Sequence, residues 1–251
     1  MKKLLLILLC LPIIGFGQNV NIPDANFKAY LVGNSAINTN GDSEIQVSEA
    51  ASFNGEINCY NMNISDLTGV ESFTYLTNLT CSNNQLTSID LSNNTALTSL
   101  NCGNNQLTSI DVNGATALSF LRVSENQLTI LDVSTNTALT FLYCLYNQLI
   151  NLDLRNGNNI NINYISLSEN PNLSCINVDD STWSTSNWTD IDPQHYFSNN
   201  CSGTTSIQEL ISKKELLKIT DLLGRKTKGK KNEPLFYIYD DGTVEKRIVI
   251  E

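Results

Sequence analysis

The chain has 251 residues, with 15 lysine plus arginine against 25 aspartate plus glutamate, a formal net charge of −10 and a hydrophobic share of 41%. Ten of the basic residues crowd into the last 40 positions and two stand at positions 2 and 3, so residues 18 to 211 keep only Lys28, Arg122 and Arg155 against 18 carboxylates, a net of −15. Such a surface repels phosphate backbones and anionic headgroups, which sets aside nucleic acid and an anionic membrane as partners.

The chain opens MKKLLLILLCLPIIGFGQ, with Lys2 and Lys3 before an apolar run from Leu4 to Ile14 and then Gly15 and Gly17. The run is too short to span a bilayer, and its layout is that of a cleavable secretory signal over residues 1–17, leaving a mature chain without a transmembrane segment. Cys10 raises lipoprotein processing, but Leu9 ahead of it is bulkier than the small residue used there. Residues 18–56 read as an N-terminal cap. Within it PDANFKAYLVGNSAI (23–37) has helical spacing, with Asp24 as N-cap and Phe27, Tyr30 and Leu31 on one face. The next stretch, NTNGDSEIQVSEA, resembles an EF-hand-type calcium loop: Asn38, Asn40, Asp42, Glu44 and Glu49 fall at positions 1, 3, 5, 7 and 12, and Ile45 at the apolar eighth. The resemblance implies that these five residues hold calcium, the only cofactor expected. Asn38 stands where aspartate is usual and Ser43 where the turning glycine is, and the alternative is an Asn-Gly-Asp turn ahead of a capping helix.

From residue 76 the chain repeats every 21 residues: LTNLTCSNNQLTSIDLSNNTA, LTSLNCGNNQLTSIDVNGATA, LSFLRVSENQLTILDVSTNTA and LTFLYCLYNQLINLDLRNGNN, with weaker copies at 57–67 and 165–178. One such unit has too little apolar surface to close a core alone, so the period predicts a stack. A short strand needs alternate residues inward, which Leu79/Cys81, Leu100/Cys102, Leu121/Val123 and Leu142/Cys144 supply; Leu76, Leu86, Ile89 and their counterparts point inward from the turns. Asn84, Asn105, Asn126 and Asn147 recur just after the strand, where an amide can satisfy turn groups and bond to the next unit's backbone. Asp90, Asp111, Asp132 and Asp153 are expected on the solvated outer face. The whole pattern, L-x-x-L-x-[C/V]-x-x-N-Q-L-x-x-[I/L]-D-[L/V], resembles the leucine-rich repeat over residues 57–178. That resemblance implies a horseshoe-type α/β solenoid of about six turns, mostly short parallel strands and turns with little helix, followed by a small C-terminal β-hairpin segment.

Positions between the inward residues line the concave face. Asn78/Thr80/Ser82 and Ser99/Asn101/Gly103 are small and polar, whereas the next rungs place Phe120, Arg122, Phe141, Tyr143, Leu145, Tyr146 and Tyr164 side by side, with Glu125 and Glu169 at one rim. An aromatic patch with one arginine suits a protein or glycan ligand; alternatively the rings only pack on one another across strands, as in a structural envelope component. Catalysis has little support. His195 is the only histidine and no nucleophile, zinc, phosphate-loop or dinucleotide motif surrounds it, so Asp179, Asp180, Asp190 and Asp192 read as surface turns and the chain as a non-enzyme.

Cys59, Cys81, Cys102 and Cys144 take the inward strand position and read as small core hydrophobes. Cys175 and Cys201 bracket a non-repetitive segment whose Trp183, Trp188 and Phe197 could cover the open end, so they are expected to pair and to close a C-terminal cap over 179–205. Similarity to the C-terminal caps of secreted bacterial leucine-rich proteins supports that bond. The basic tail, 206–251, alternates Leu235/Tyr237/Tyr239 and Val244/Ile248/Ile250 around Asp240-Asp241-Gly242, a hairpin pattern. Through DLLGR (221–225) and PLFYIYDDGTVEKRIVIE (234–251) it resembles the C-terminal sorting signal of type IX secretion substrates, without the Asn-Pro start and Gly-x-Tyr segment of the commonest form. The resemblance implies engagement of the type IX machinery, passage across the outer membrane, and a secreted or outer-membrane-surface product; the alternative is an ordinary small β-domain.

Overall fold

The computed structural model describes residues 18–201 and, beyond them, three strands between 216 and 248. The expected secretory signal and the DLLGR stretch lie outside the described residues. Two units make up the chain, Met1–Cys201 and Ser202–Glu251.

The first helix starts where an N-cap was expected. One carboxylate oxygen of Asp24 accepts from the backbone N–H groups of Asn26 and Phe27 at 2.9 and 3.0 Å, opening α1 (Ala25–Gly33). Its other oxygen accepts from the N–H and hydroxyl of Ser65, tying the helix to the first repeat. Burial pushes this carboxyl up, but the hydrogen bonds from Phe27, Ser65 and Asn26 prevail and its pKa is lowered. Phe27 and Leu31 are fully buried. A second helix, α2 (Val47–Ser52), begins in a reciprocal capping box between Gln46 and Glu49.

Thereafter each unit lays down strands of three residues: β1 (Glu56–Asn58), β2 (Asn78–Thr80), β3 (Ser99–Asn101), β4 (Phe120–Arg122), β5 (Ile130–Asp132), β6 (Phe141–Tyr143), β7 (Asn151–Asp153), β8 (Tyr164–Ser166), β9 (Cys175–Asn177) and β10 (Tyr196–Ser198). One parallel sheet has the order β1-β2-β3-β4-β6-β8 and a second the order β10-β9-β7-β5. In the first, Leu79, Leu100, Leu121, Leu142 and Ile165 stand in register as one buried row. These six strands are the six expected turns. The second sheet was not anticipated. Ile89 and Ile110, expected inward, are only half-buried, while Leu91, Val112, Val133 and Leu154 two residues on are buried.

The recurrent asparagines are structural, as expected, but they reach the preceding unit and not the next. Asn105 donates from its amide to the carbonyls of Cys81 and Cys102 at 3.1 and 3.0 Å, and its oxygen accepts from the N–H of Leu86 at 3.0 Å. Asn126, Asn147 and Asn170 repeat the arrangement. The direction follows from need: the strand-end carbonyl and the turn N–H that no backbone partner serves, such as Cys81 C=O and Leu86 N–H, belong to the unit before. The residue preceding each of these asparagines is left-handed, with φ of 58° at Asn83, 53° at Asn104, 57° at Glu125, 54° at Tyr146 and 60° at Glu169. The aspartates 90, 111, 132 and 153 each accept from the N–H two residues on, closing an Asx turn on the outer side.

Cys59, Cys81, Cys102 and Cys144 are free and buried. Burial pushes the thiols of Cys59, Cys102 and Cys144 up to about 12 and that of Cys81 well above its ordinary value. A thiol reagent at pH 8 is therefore expected to leave these four unmodified in the folded chain and to label them only on denaturation, which a mass-spectrometric count checks.

The array ends in a cap. Asp180 N-caps α3 (Ser181–Asn187) through the N–H groups of Thr182 and Trp183. Trp188 meets Trp183 and Phe197 edge-on at 5.6 Å, and both Trp188 and Phe197 are buried. Cys175 and Cys201 are bonded, with Cα atoms 5.8 Å apart. In the second unit, β11 (Leu216–Thr220), β12 (Pro234–Tyr239) and β13 (Val244–Ile248) form an antiparallel sheet in chain order. The β12–β13 register, from Pro234↔Ile248 to Ile238↔Val244, is that of the expected hairpin. Among the described residues no helix is long and apolar enough to cross a membrane.

Candidate functional site

Alternation along the six-stranded sheet buries the middle residue of β2, β3, β4 and β6 and leaves its neighbours half-exposed on the open face. The register sets Phe120 opposite Phe141, Arg122 opposite Tyr143, and Phe141 opposite Tyr164. The rings consequently touch in a chain: Phe120 lies 6.3 Å from Phe141 and 5.6 Å from Tyr143, and Tyr143 lies 5.0 Å from Tyr164, all tilted at 32° to 42°. Tyr164 donates to Asp190 at 3.4 Å. Leu145 is half-buried beside them, and Tyr146 is 53% exposed on its left-handed backbone. Five of the seven expected ligand-contacting residues, Phe120, Arg122, Phe141, Tyr143 and Tyr164, thus share one face. Ser124 and Ser166, shorter than their neighbours, are buried there.

Arg122 marks the border of this strip. One guanidinium nitrogen stands 3.6 Å from Glu125, and its Nε is buried without a hydrogen-bond partner. The polar rungs on its other side, and the groove they form, were not recognisable as a site from the sequence.

The loop expected to hold calcium is knitted by hydrogen bonds. Glu49 accepts from the N–H and hydroxyl of Thr39, from the N–H of Asn40 and from the N–H of Gln46. Burial pushes this carboxyl up, the bonds from Gln46, Thr39 and Asn40 outweigh it, and its pKa is lowered. Asn38 donates to the carbonyls of Val32 and Asp42, Asn40 donates to Asp42, and Glu44 pairs with Lys28 at 2.7 Å. Glu44 would offer calcium its carbonyl, but Glu49 could ligate only by giving up these donors, and Asn38 turns its amide nitrogen inward. No group of three or more His, Cys, Asp or Glu side chains able to hold a metal occurs among the described residues. Adding calcium or a chelator is expected to leave the melting midpoint unchanged. Acid is expected to lower it, because a carboxylate with a depressed folded pKa stabilises above its unfolded value, 4.5 for Glu49, and loses that contribution as pH falls through the folded value. Melting curves with and without calcium, at neutral pH and at pH 3, check both.

The acidic residues around His195 serve the cap. The buried imidazole accepts the Asp192 N–H on Nδ1 at 3.2 Å, so Nε2 carries the proton facing the Asn170 carbonyl at 3.3 Å. Asp192 accepts from the N–H groups of Glu169 and Asn170, and Asp179 from those of Gly157 and Asn159.

Comparison with known proteins agrees with this geometry. The family described as the endo-beta-N-acetylglucosaminidase EndoS LRR domain matches residues 43–146. The functional domain of internalin J from Listeria monocytogenes, which includes a cysteine ladder, aligns over 64% of this chain with 34% identity and a TM-score of 0.51. The fold is a leucine-rich repeat solenoid. Internalin F from the same species, at 23% identity, covers 74% of this chain and 59% of its own with a TM-score of 0.52, a likeness of leucine-rich repeat fold alone. In sequence, internalin J of L. monocytogenes serotype 4b is 36% identical over 73 residues, which are 29% of this chain and 8% of that protein. The chain spans only 38% of the internalin J structure, so the likeness concerns the repeats.

Proposed function

We propose that this leucine-rich repeat protein is a secreted or cell-surface recognition and adhesion module that holds a protein or glycan ligand on the open, concave face of its six-stranded sheet. The observation that carries the reading is the unbroken contact of Phe120, Phe141, Tyr143 and Tyr164, four large rings half-exposed or exposed on one face. Rings held by their neighbours lose little further freedom on binding, which is what makes aromatic side chains effective anchors. Delivery outside the cell is supported by the signal-like residues 1–17 and by the resemblance of 206–251 to a type IX sorting signal, with 18–56, 57–178 and 179–205 as N-terminal cap, repeats and C-terminal cap. The chemistry is binding and not catalysis.

A peptide and glycan array probed with the full chain tests this, with Phe141→Ser/Tyr143→Ser as control. Loss of two central anchors at roughly 2 kcal/mol each is expected to weaken binding by at least 30-fold. An array without a reproducible ligand, or undiminished binding by the control, favours the second reading, a structural envelope component whose ring contacts only stiffen the sheet.

A further inference from the structure

Next to the aromatic strip, over the first rungs of the same sheet, lies a groove of about 520 Å³ with no aliphatic side chain in its lining. That volume falls within the roughly 300–1,000 Å³ common to small-ligand clefts, yet such clefts are usually mostly apolar. Its depth comes from a missing side chain. Where successive rungs carry Ser82, Ser124, Leu145 and Ser168, the second carries Gly103, and a Cβ there would stand 3.2 Å from Nε of Arg122 and 3.3 Å from the Ser124 carbonyl. The glycine makes room for the Arg122 side chain, whose Nε is buried while the side chain as a whole is 43% exposed and lines the groove.

The rim is pre-oriented. Asn104 donates its amide to the oxygen of Asn83 at 2.9 Å, and Asn83 donates to the hydroxyl oxygen of Tyr60 at 3.0 Å. That relay fixes which end of the Asn83 amide accepts and which donates, and it leaves the Tyr60 proton to be given elsewhere. Tyr60 is 52% exposed and lines the groove, which leaves ring surface there for a ligand to stack on. Arg122 and Glu125, both lining the groove, offset one another in charge, while the carboxylate-rich body repels anions. A peptide would find no pocket here for an apolar side chain, and a sheet face has no free ladder for its backbone. Hydroxyl groups, which donate and accept alike, match fixed amides, a phenol and a guanidinium.

We propose that this groove binds an uncharged oligosaccharide, its hydroxyls read by Tyr60, Asn83, Asn104 and Arg122 and one sugar ring stacked on Tyr60. The proposal rests on the reading of this face as a recognition surface and narrows the ligand at its polar half. The full chain is titrated calorimetrically with cello-, malto-, manno- and chito-pentaose, and with oligogalacturonate as the anionic control. Expected is saturable binding of at least one neutral pentaose, with oligogalacturonate inert. Thr80→Leu, which adds bulk at a half-exposed position of the lining, and Tyr60→Ala are each expected to weaken it at least tenfold with an unchanged melting midpoint, whereas Ile130→Ser, at an exposed position of the other sheet, alters it less than twofold. Failure of every neutral pentaose, binding of oligogalacturonate alone, or indifference to both groove variants overturns the proposal. If the pentaoses fail while an array peptide binds and is lost with Phe141→Ser/Tyr143→Ser, the groove assignment falls and the recognition surface stands; if both fail, both fall.

Discussion

Asn105→Leu is expected to cost about 3 kcal/mol of stability, since it orphans a buried donor and removes hydrogen bonds at about 1 kcal/mol each. The orphan is the N–H of Leu86, whose acceptor is the Asn105 side chain. The carbonyls fare better, because each is shared: Cys81 C=O also receives the amide of Asn84, and Cys102 C=O that of Asn126. Sharing makes a sharper forecast possible. In the double variant Asn105→Leu/Asn126→Leu both amides that serve Cys102 C=O are gone, so the loss should exceed the sum of the single losses by about 1–2 kcal/mol. Gln106→Ala, one residue away, is expected within about 0.5 kcal/mol of the parent, as exposed surface positions usually are. Urea denaturation of the four variants measures all three quantities. Simple additivity in the pair would mean that the shared carbonyl is not what couples neighbouring units.

Asn and Gln recur side by side in every full repeat, and periodicity alone does not say which is buried; the structure exposes Gln85, Gln106, Gln127 and Gln148. What identified the asparagine was chemistry, a short amide placed where a strand must turn. The strands were legible for a similar reason, since alternate leucines fit only one register. Cys175 and Cys201 were legible because they fall where the repeat breaks down. Less could be read where geometry depends on a neighbour's absence. The polar groove exists because Gly103 is small and Arg122 folds over it, a relation between rungs that no single repeat displays. Left-handed backbone was readable at Asn83 and Asn104 from residue type, but not at Glu125, Tyr146 and Glu169, whose side chains ordinarily avoid it.

The second large effect is expected at the other end of the array. Cys175→Ala/Cys201→Ala opens a loop with a sequence separation of 26, and closure of a loop of this size is worth about 3 kcal/mol. That loss should fall on the cap first. Tyr196 to Ser198 pair with the single strand Cys175–Asn177, α3 is only seven residues long, and the apolar cover is Trp188 and Phe197 with Trp183 at its edge. Both tryptophans of the chain are in this segment, so indole fluorescence reports the cap while far-ultraviolet dichroism reports the stacked strands. In the bonded chain the two signals are expected to change together on heating. Without the bond the fluorescence transition should move several degrees below the dichroism transition, because the cap can now open while units that contact only their neighbours remain stacked. Coincident transitions in the alanine pair would show instead that the cap and the repeats unfold as one cooperative body, held by the Asp192 and His195 hydrogen bonds to Glu169 and Asn170 more than by the disulfide.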